Sequence, residues 1–249
     1  KVGLSSKGKM FQREGPPLYT NMPPVSGALA WVQGLIRRLE DPMVALRGIL
    51  KLMGDTDEVK DVVRLHDSIH SSLIEYEDAM FNRWDGTVDS TLQEKLTLPL
   101  LTRDPKTARL AVNFDLQLIK LLKECKYFTL QKKGISQVAQ DLFAQAETFR
   151  VQTANLTLVQ NWYNEMLEKM LDVEKPLLKN DINAINKVLD KGLKQLVWKS
   201  PNAEKDGFIA EAMELVLAAH KMLFAMKGNM EAIIAILNKW TATPLITRS

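Results

Sequence analysis

Apolar side chains recur at helical spacing over most of this chain. The most regular stretch is Val59, Val62, His66, Ile69, Leu73, Tyr76 and Met80, with alternating steps of three and four. Such a heptad seam predicts a helix packed along most of its length against a neighbour, ending near Trp84 in "WDGTVDS". Upstream, Pro23-Pro24 halts earlier structure and Ser26 offers an N-cap to a helix through Ala28, Trp31, Leu35 and Leu39. Asp41-Pro42 reads as a break, followed by a short helix from Met43 to Met53 that closes at Gly54-Asp55. Residues 1–22 have no periodicity and read as an extended lead-in.

The period changes within "LAVNFDLQLIKLLKECKYF" (110–128). Leu110, Val112 and Phe114 alternate as in a strand, whereas the apolar residues after Asp115 recur every three or four. Residues 96–114 hold two β-leaning runs around Arg103-Asp104-Pro105-Lys106, which predicts a β-hairpin with Pro99 on an edge. Asp115 stands where a carboxylate caps the next helix. A single long helix is expected from Ile135 to Leu171, more than ~50 Å at about 1.5 Å per residue. Pro176 restarts the chain, and Ile182, Ile185, Leu189, Leu193 and Leu196 form another stripe. A last long helix carries Phe208, Ala212, Leu215, Ala219, Met222, Met226, Met230, Ile233, Leu237 and Trp240, with a kink expected at Gly228-Asn229 and an end at Pro244. The fold class expected is mainly α: elongated helical bundles with one inserted β-hairpin. Its divisions are a lead-in over 1–22, an N-terminal bundle over 23–95, the hairpin over 96–114 and a long-helix bundle over 115–249. A hairpin in that place is expected to brace two helical layers.

Composition narrows the function classes. The chain has 249 residues, 46% hydrophobic and 25% charged, enough to bury a large core. Its net charge of +3 is spread thinly, and Arg37-Arg38 and Lys132-Lys133 are too short for a nucleic-acid stripe. One cysteine, Cys125, allows no internal disulfide, suits a reducing compartment, and sits in an apolar pattern as a buried thiol would. No uncharged run has the roughly 18 residues of a membrane span, and no cleavable signal pattern opens the chain. It begins at Lys1 without an initiator Met, so it is expected to be an excerpt of a longer, cytosolic polypeptide.

Candidate chemistry is sparse. In "GLSSKGKM", Gly3, Gly8 and Lys9 sit at phosphate-loop spacing, yet Met10 stands where the magnesium-binding hydroxyl belongs and no strand precedes Gly3. "HDSIH" places His66 and His70 one helical turn apart with Asp67 between, a pattern compatible with a metal-dependent hydrolase. A third ligand is undefined and His66 lies on the seam, so a structural histidine is the preferred reading. Met213, Met222, Met226 and Met230 fit a core stripe better than an adaptable groove for partner helices, the free-standing adaptor alternative. Trp31, Trp162, Trp198 and Trp240 are core candidates that also suit partner anchors. No catalytic, cofactor or metal residue is assigned.

Several phrases carry a resemblance. "GPPLYTNMPPVSGALAWVQGLIRRLEDPM" (15–43) is similar to the Pro-Pro-Val-x-Gly-Ala-x-x-Trp segment of dynein heavy-chain tails. "LPLLTRDPKTARLAVNFDLQLIKLLKECKYF" (98–128) resembles that family's hairpin, its Val-Asn-Phe-Asp and its Glu-x-Lys-Tyr helix end. "YNEMLEKMLDVEKPLL" (163–178) and "LDKGLKQLVWKS" (189–200) resemble its later Tyr-Asn, Glu-x-Pro-Leu and Gly-x-x-x-Leu-x-Trp-x-Ser landmarks, in the same order. The resemblance covers about residues 15–244, with Cys125 where Val is expected and Leu116 where Pro is common. The phrasing of the hairpin and of "KYF" is similar to axonemal, outer-arm members. The resemblance implies a non-catalytic tail scaffold without cofactor, in a parent microtubule motor ATPase whose motor chemistry lies far downstream. It implies other dynein heavy chains, intermediate and light chains, and docking or cargo factors as partners. It places the chain in the cytoplasm and cytoskeleton, in the ciliary axoneme.

Overall fold

The computed structural model describes residues 22–54 and 56–242. The phosphate-loop spacing at Gly3, Gly8, Lys9 and Met10, most of the lead-in, and the expected stop at Pro244 lie outside the described residues. Within them the chain is mainly α, as its periodicity predicts. Seven helices are interrupted by one antiparallel hairpin: α1 (Pro24–Met53), α2 (Asp57–Lys95), β1 (Leu101–Arg103), β2 (Leu110–Val112), α3 (Leu116–Leu130), α4 (Gln137–Ala144), α5 (Ala146–Lys169), α6 (Lys179–Lys194) and α7 (Asn202–Ala242). The described residues divide into two compact units, one made of 22–93 and 116–146, the other of 94–115 and 147–242.

In the first unit α1 starts at Pro24, two residues before the expected cap. Proline tolerates the first helical turn because its missing N–H has no partner there in any case. Ser26 lies inside the helix, fully buried, and the cap comes from elsewhere in the chain, as described below. The expected break at Asp41-Pro42 is absent: α1 continues through Pro42 to Met53. Proline removes one hydrogen bond, to the carbonyl four residues back. Arg38 and Pro42 are both exposed, so no buried group is orphaned and the helix survives. Likewise α2 runs past Trp84 to Lys95, because Trp84, Val88 and Leu92 continue its buried stripe at steps of four. Ala28, Leu29, Val32, Trp84, Leu118, Cys125, Phe128 and Leu142 form the core of this unit, with the Trp84 and Phe128 ring centroids 4.6 Å apart. The heptad seam holds at Val59, His66, Leu73 and Met80, which are half-buried, but Val62, Ile69 and Tyr76 are exposed and their inward places are taken by Val63, His70 and Glu77.

The second unit contains the hairpin expected over 96–114. Leu101 faces Val112, and Arg103 faces Leu110. Its turn is tied by Asp104, whose N–H donates to the Arg109 carbonyl at 2.9 Å and whose Oδ1 accepts from the Lys106 N–H at 2.8 Å. Asp115 immediately precedes α3, with its Oδ2 3.5 Å from Lys95 Nζ. The single helix expected over 135–171 is two. α4 closes at Gln145, whose N–H donates to the Leu142 carbonyl in a tightened last turn, and α5 begins at Ala146. The break falls where the chain passes from one unit to the other.

Phe149, Leu156, Val159, Tyr163 and Met166 give α5 its buried face, and Ile185, Val188, Leu189 and Gly192 do the same for α6. A Cβ at Gly192 would collide with the Phe208 ring, so glycine is what permits α6 to approach α7 there. α7 runs unbroken through Gly228-Asn229. Its buried side is Phe208, Ile209, Ala212, Val216, Ala219 and Leu223, so Leu215 and Met222 fall outside the core stripe.

Candidate functional site

A platform built around the hairpin concentrates the polar interactions of the second unit. The segment just before β1 pairs with the chain after α6. The Leu100 N–H donates to the Leu196 carbonyl, Trp198 N–H to Leu98, and Lys199 N–H to Leu96, at 2.8–3.3 Å. Pro99 faces Val197 in this bridge and its carbonyl accepts from the Asn113 amide on the other side, so the run that holds it is paired on both sides and is not the open edge expected. The opposite edge is closed by side chains. The Asn164 amide accepts from the Leu110 N–H at 2.8 Å and donates to the Leu110 carbonyl at 2.9 Å, while Gln160 Oε1 accepts from the Val112 N–H at 2.9 Å. A strand edge so satisfied offers no ladder to another strand.

Trp198 lies under the platform, 1% exposed, with its indole N–H donating to the Asn113 carbonyl at 2.6 Å. The Asn113 amide in turn donates to the Pro99 carbonyl at 3.0 Å. The Phe114 ring stands edge-on to Trp198 at 4.7 Å, and Phe149 completes the aromatic cluster. Lys205, almost fully buried, donates to the Trp198 carbonyl at 2.9 Å and lies 5.1 Å from the centre of the Phe149 ring. Burial lowers its pKa, partly offset by Asp206. Arg103 reaches from β1 to Asn186 Oδ1 at 2.9 Å and over the Tyr163 ring, and the Tyr163 hydroxyl donates to the same oxygen at 3.1 Å. Burial raises the Tyr163 pKa.

Glu174, at the start of "EKPLL", accepts from the Leu171 N–H at 2.8 Å and from Lys227 on α7 at 3.1 Å. The backbone bond first, then Lys227, holds its pKa below the usual carboxylate range against the effect of desolvation.

The first unit uses the same device over a longer sequence interval. Glu124 on α3 accepts from the Val25 and Ser26 N–H groups, each at 2.8 Å, and thereby caps the N-terminus of α1 from about a hundred residues away. A carboxylate is suited to this place because the helix N-terminus carries partial positive charge and unpaired donors. Gln131 closes the arrangement by donating to the Ser26 carbonyl at 2.9 Å. Glu77 binds Lys133 at 2.9 Å and Gln33 at 3.2 Å.

The residues singled out from sequence are dispersed. His66 Nδ1 is 2.9 Å from its neighbour Asp67, while His70 Nε2 is 3.1 Å from Glu40 on α1. The two imidazoles stack at 5.8 Å, and His66 Nε2 is buried without a hydrogen bond. Among the described residues no group of three or more His, Cys, Asp or Glu side chains is placed to hold a metal ion. Burial pushes the Cys125 thiol up to about 11. Trp31 and Trp162 are half-buried, Trp198 is in the core, and Trp240 is 69% exposed. The methionine stripe is not core: Met213 and Met226 are half-buried, Met222 and Met230 exposed. An open groove of about 420 Å³ between α5 and α7 is lined by Val151, Gln152, Asp206, Ile209 and Met213. No helix of the described residues is long and apolar enough to cross a membrane.

Sequence reasoning missed Glu124, Asn113, Asn164 and Glu174 as working side chains, although each lies in a phrase that carries the resemblance. Their geometry gives those phrases a physical meaning. Pro-Pro-Val at the start of α1 meets Glu-x-Lys-Tyr at the end of α3, and Val-Asn-Phe-Asp meets Leu-x-Trp-x-Ser.

Comparison with known proteins agrees. Residues 5–205 match the family model described as dynein heavy chain, N-terminal region 1. The dynein beta chain of the flagellar outer arm of Chlamydomonas reinhardtii is 34% identical over 95% of this chain and 6% of its own length. Dynein axonemal heavy chain 17 of Mus musculus is 34% identical over 94% of this chain and 5% of its own. Dynein axonemal heavy chain 9 of Homo sapiens is 31% identical over 92% and 5%. The chain therefore spans about one-twentieth of the length of these curated relatives. The chain belongs to the dynein heavy-chain family, in its N-terminal region.

Proposed function

We propose that this chain is a non-catalytic tail scaffold of a dynein heavy chain within an ATP-driven microtubule motor. Its role is to hold heavy chains together, to carry intermediate and light chains, and to fix the motor to its cargo, which in a cilium is the axonemal doublet. The relatives are named for flagellar outer arms and axonemes, which supports placement in the ciliary axoneme. One observation carries the reading: the buried charged side chains Glu77, Glu124, Glu174 and Lys205 are each committed to holding one part of the fold to another. Groups used in this way stabilise a framework. Helices so fixed present rigid faces for docking, where a few aromatic or arginine anchors dominate the binding energy. The half-buried Trp31 and Trp162 are the candidates for anchoring a partner subunit; Trp198 serves the platform.

The test is deletion of residues 23–244 from the parent heavy chain. Turnover of the isolated downstream motor is expected to stay nearly unchanged, while at least one partner subunit leaves the purified complex in quantitative pull-down. Full partner retention, or collapse of motor turnover, contradicts the reading.

A further inference from the structure

The buried seam of α7 continues in sequence well beyond its cover. Phe208, Ala212, Val216, Ala219 and Leu223 are buried against the second unit. At 100° per residue, Met226, Met230, Ile234 and Leu237 fall on the same side of the helix. Yet every residue from Gly228 to Ala242 is exposed, with Ile233 at 56% and Trp240 at 69%. The large apolar side chains from Met226 to Trp240 span an arc of about 160°, from Ile236 through Trp240, Ile233 and Leu237 to Ile234. Lys227, Glu231 and Lys239, the charged residues between Met222 and Ala242, cluster on the other side. This is the pattern of a helix that forms one side of a bundle core, with one face intended for water and the other for cover. The stretch is too polar on its reverse face to be a membrane span.

We infer that this face is covered by the polypeptide that follows Ser249 in the parent chain, folded as helices running back along the second half of α7. Three observations favour that occupant. The uncovered face is continuous with a seam already buried by α7's own chain, so the same packing layer is extended. Its arc is wider than the narrow stripe that pairing with one helix of a second copy would bury. The relatives are about twenty times longer than this chain, so chain is at hand to supply the cover. The inference rests on the proposed place of this segment in a heavy chain, but its test reads packing and does not depend on partner release.

In the intact heavy chain, p-benzoylphenylalanine is introduced at Ile233 and, separately, at Lys239 on the polar side. Irradiation is expected to join position 233 to residues following Ser249 of the same chain, with little product from 239. Mixed light- and heavy-isotope chains separate this from cross-linking to a second copy. Cross-linking to a second copy, to another subunit or to lipid overturns the inference, as do equal yields from both positions. Hydroxyl-radical footprinting of the unmodified heavy chain gives a check without substitution. Met230 and Trp240 are expected to oxidise as slowly as the buried Met166 and Trp198, and oxidation at the rate of open surface contradicts the cover.

Discussion

The hairpin platform and the paired stretches of α1 and α2 between Glu40 and Tyr76 are held by different means. In the platform, Asn113, Asn164 and Gln160 bond to backbone and Arg103 bonds to Asn186, around the buried Trp198. Between Glu40 and Tyr76, Val44, Ile49, Leu52, Leu65 and Ile69 are exposed, and the Glu40–His70 pair links the helices at the surface. The more regular hydrophobic pattern thus belongs to the less buried region. Periodicity reports that a helix forms and which face is apolar; it does not report how much lies against that face. Side-chain bonds to backbone, which have no period, are what fix the platform.

The largest effect is expected at the centre of the platform. Trp198→Ala removes a fully buried indole, leaves the Asn113 carbonyl without its donor, and opens a cavity beneath Phe114. The loss should be about 3–5 kcal/mol, read from the urea unfolding midpoint. A shift under about 1 kcal/mol would mean that the platform is not held through Trp198. Next is Glu124→Gln, which keeps the shape but takes the charge from the cap of α1. A loss of about 1.5–3 kcal/mol is expected, the range for hydrogen bonds to a charged group. The expected signature is proteolytic opening at the start of α1, and equal protease resistance in variant and parent would disconnect Glu124 from that helix end.

These two substitutions mark the boundary of what the sequence made legible. Helices and hairpin were readable because spacing and turn chemistry are local, as Asp104-Pro105 marks the turn; the end expected near Trp84 was wrong because Val88 and Leu92 carry the stripe of α2 onward. The Glu124 cap was not readable, since it acts across about a hundred residues and nothing near Pro24 names it. Pro42 misled because its cost depends on which side of α1 it occupies, a property that only the folded helix has. The break at Gln145 carries no proline or glycine, so no local signal announced it. The tryptophans were ambiguous for the same reason: residue type does not separate Trp198 in the core from Trp240 on the surface.

Smaller effects belong to the first unit. His66→Leu removes a buried imidazole nitrogen that has no hydrogen bond, so stability should stay within about 1 kcal/mol of the parent or rise. A loss above about 2 kcal/mol would place His66 in a network stronger than its bond to Asp67. The smallest effect is the pH response of Cys125. Burial raises its pKa from 9.0 to about 11, so the folded state keeps a proton that the unfolded chain releases over that window. Its contribution is therefore fully present below pH 9 and lost as pH rises toward 11. Cys125→Val should flatten the alkaline fall of the melting temperature in that window, and an unchanged slope would assign the fall to other groups.

Native-state hydrogen exchange resolved to single amides tests the contrast between the two regions most directly. The Leu110, Val112, Asn113 and Trp198 amides, all bonded within the platform, should exchange only through global unfolding. Amides of α1 and α2 between residues 40 and 76 should exchange through local opening at a clearly lower free energy. Platform amides that exchange by local opening, while the exposed helices match the global value, would contradict the account.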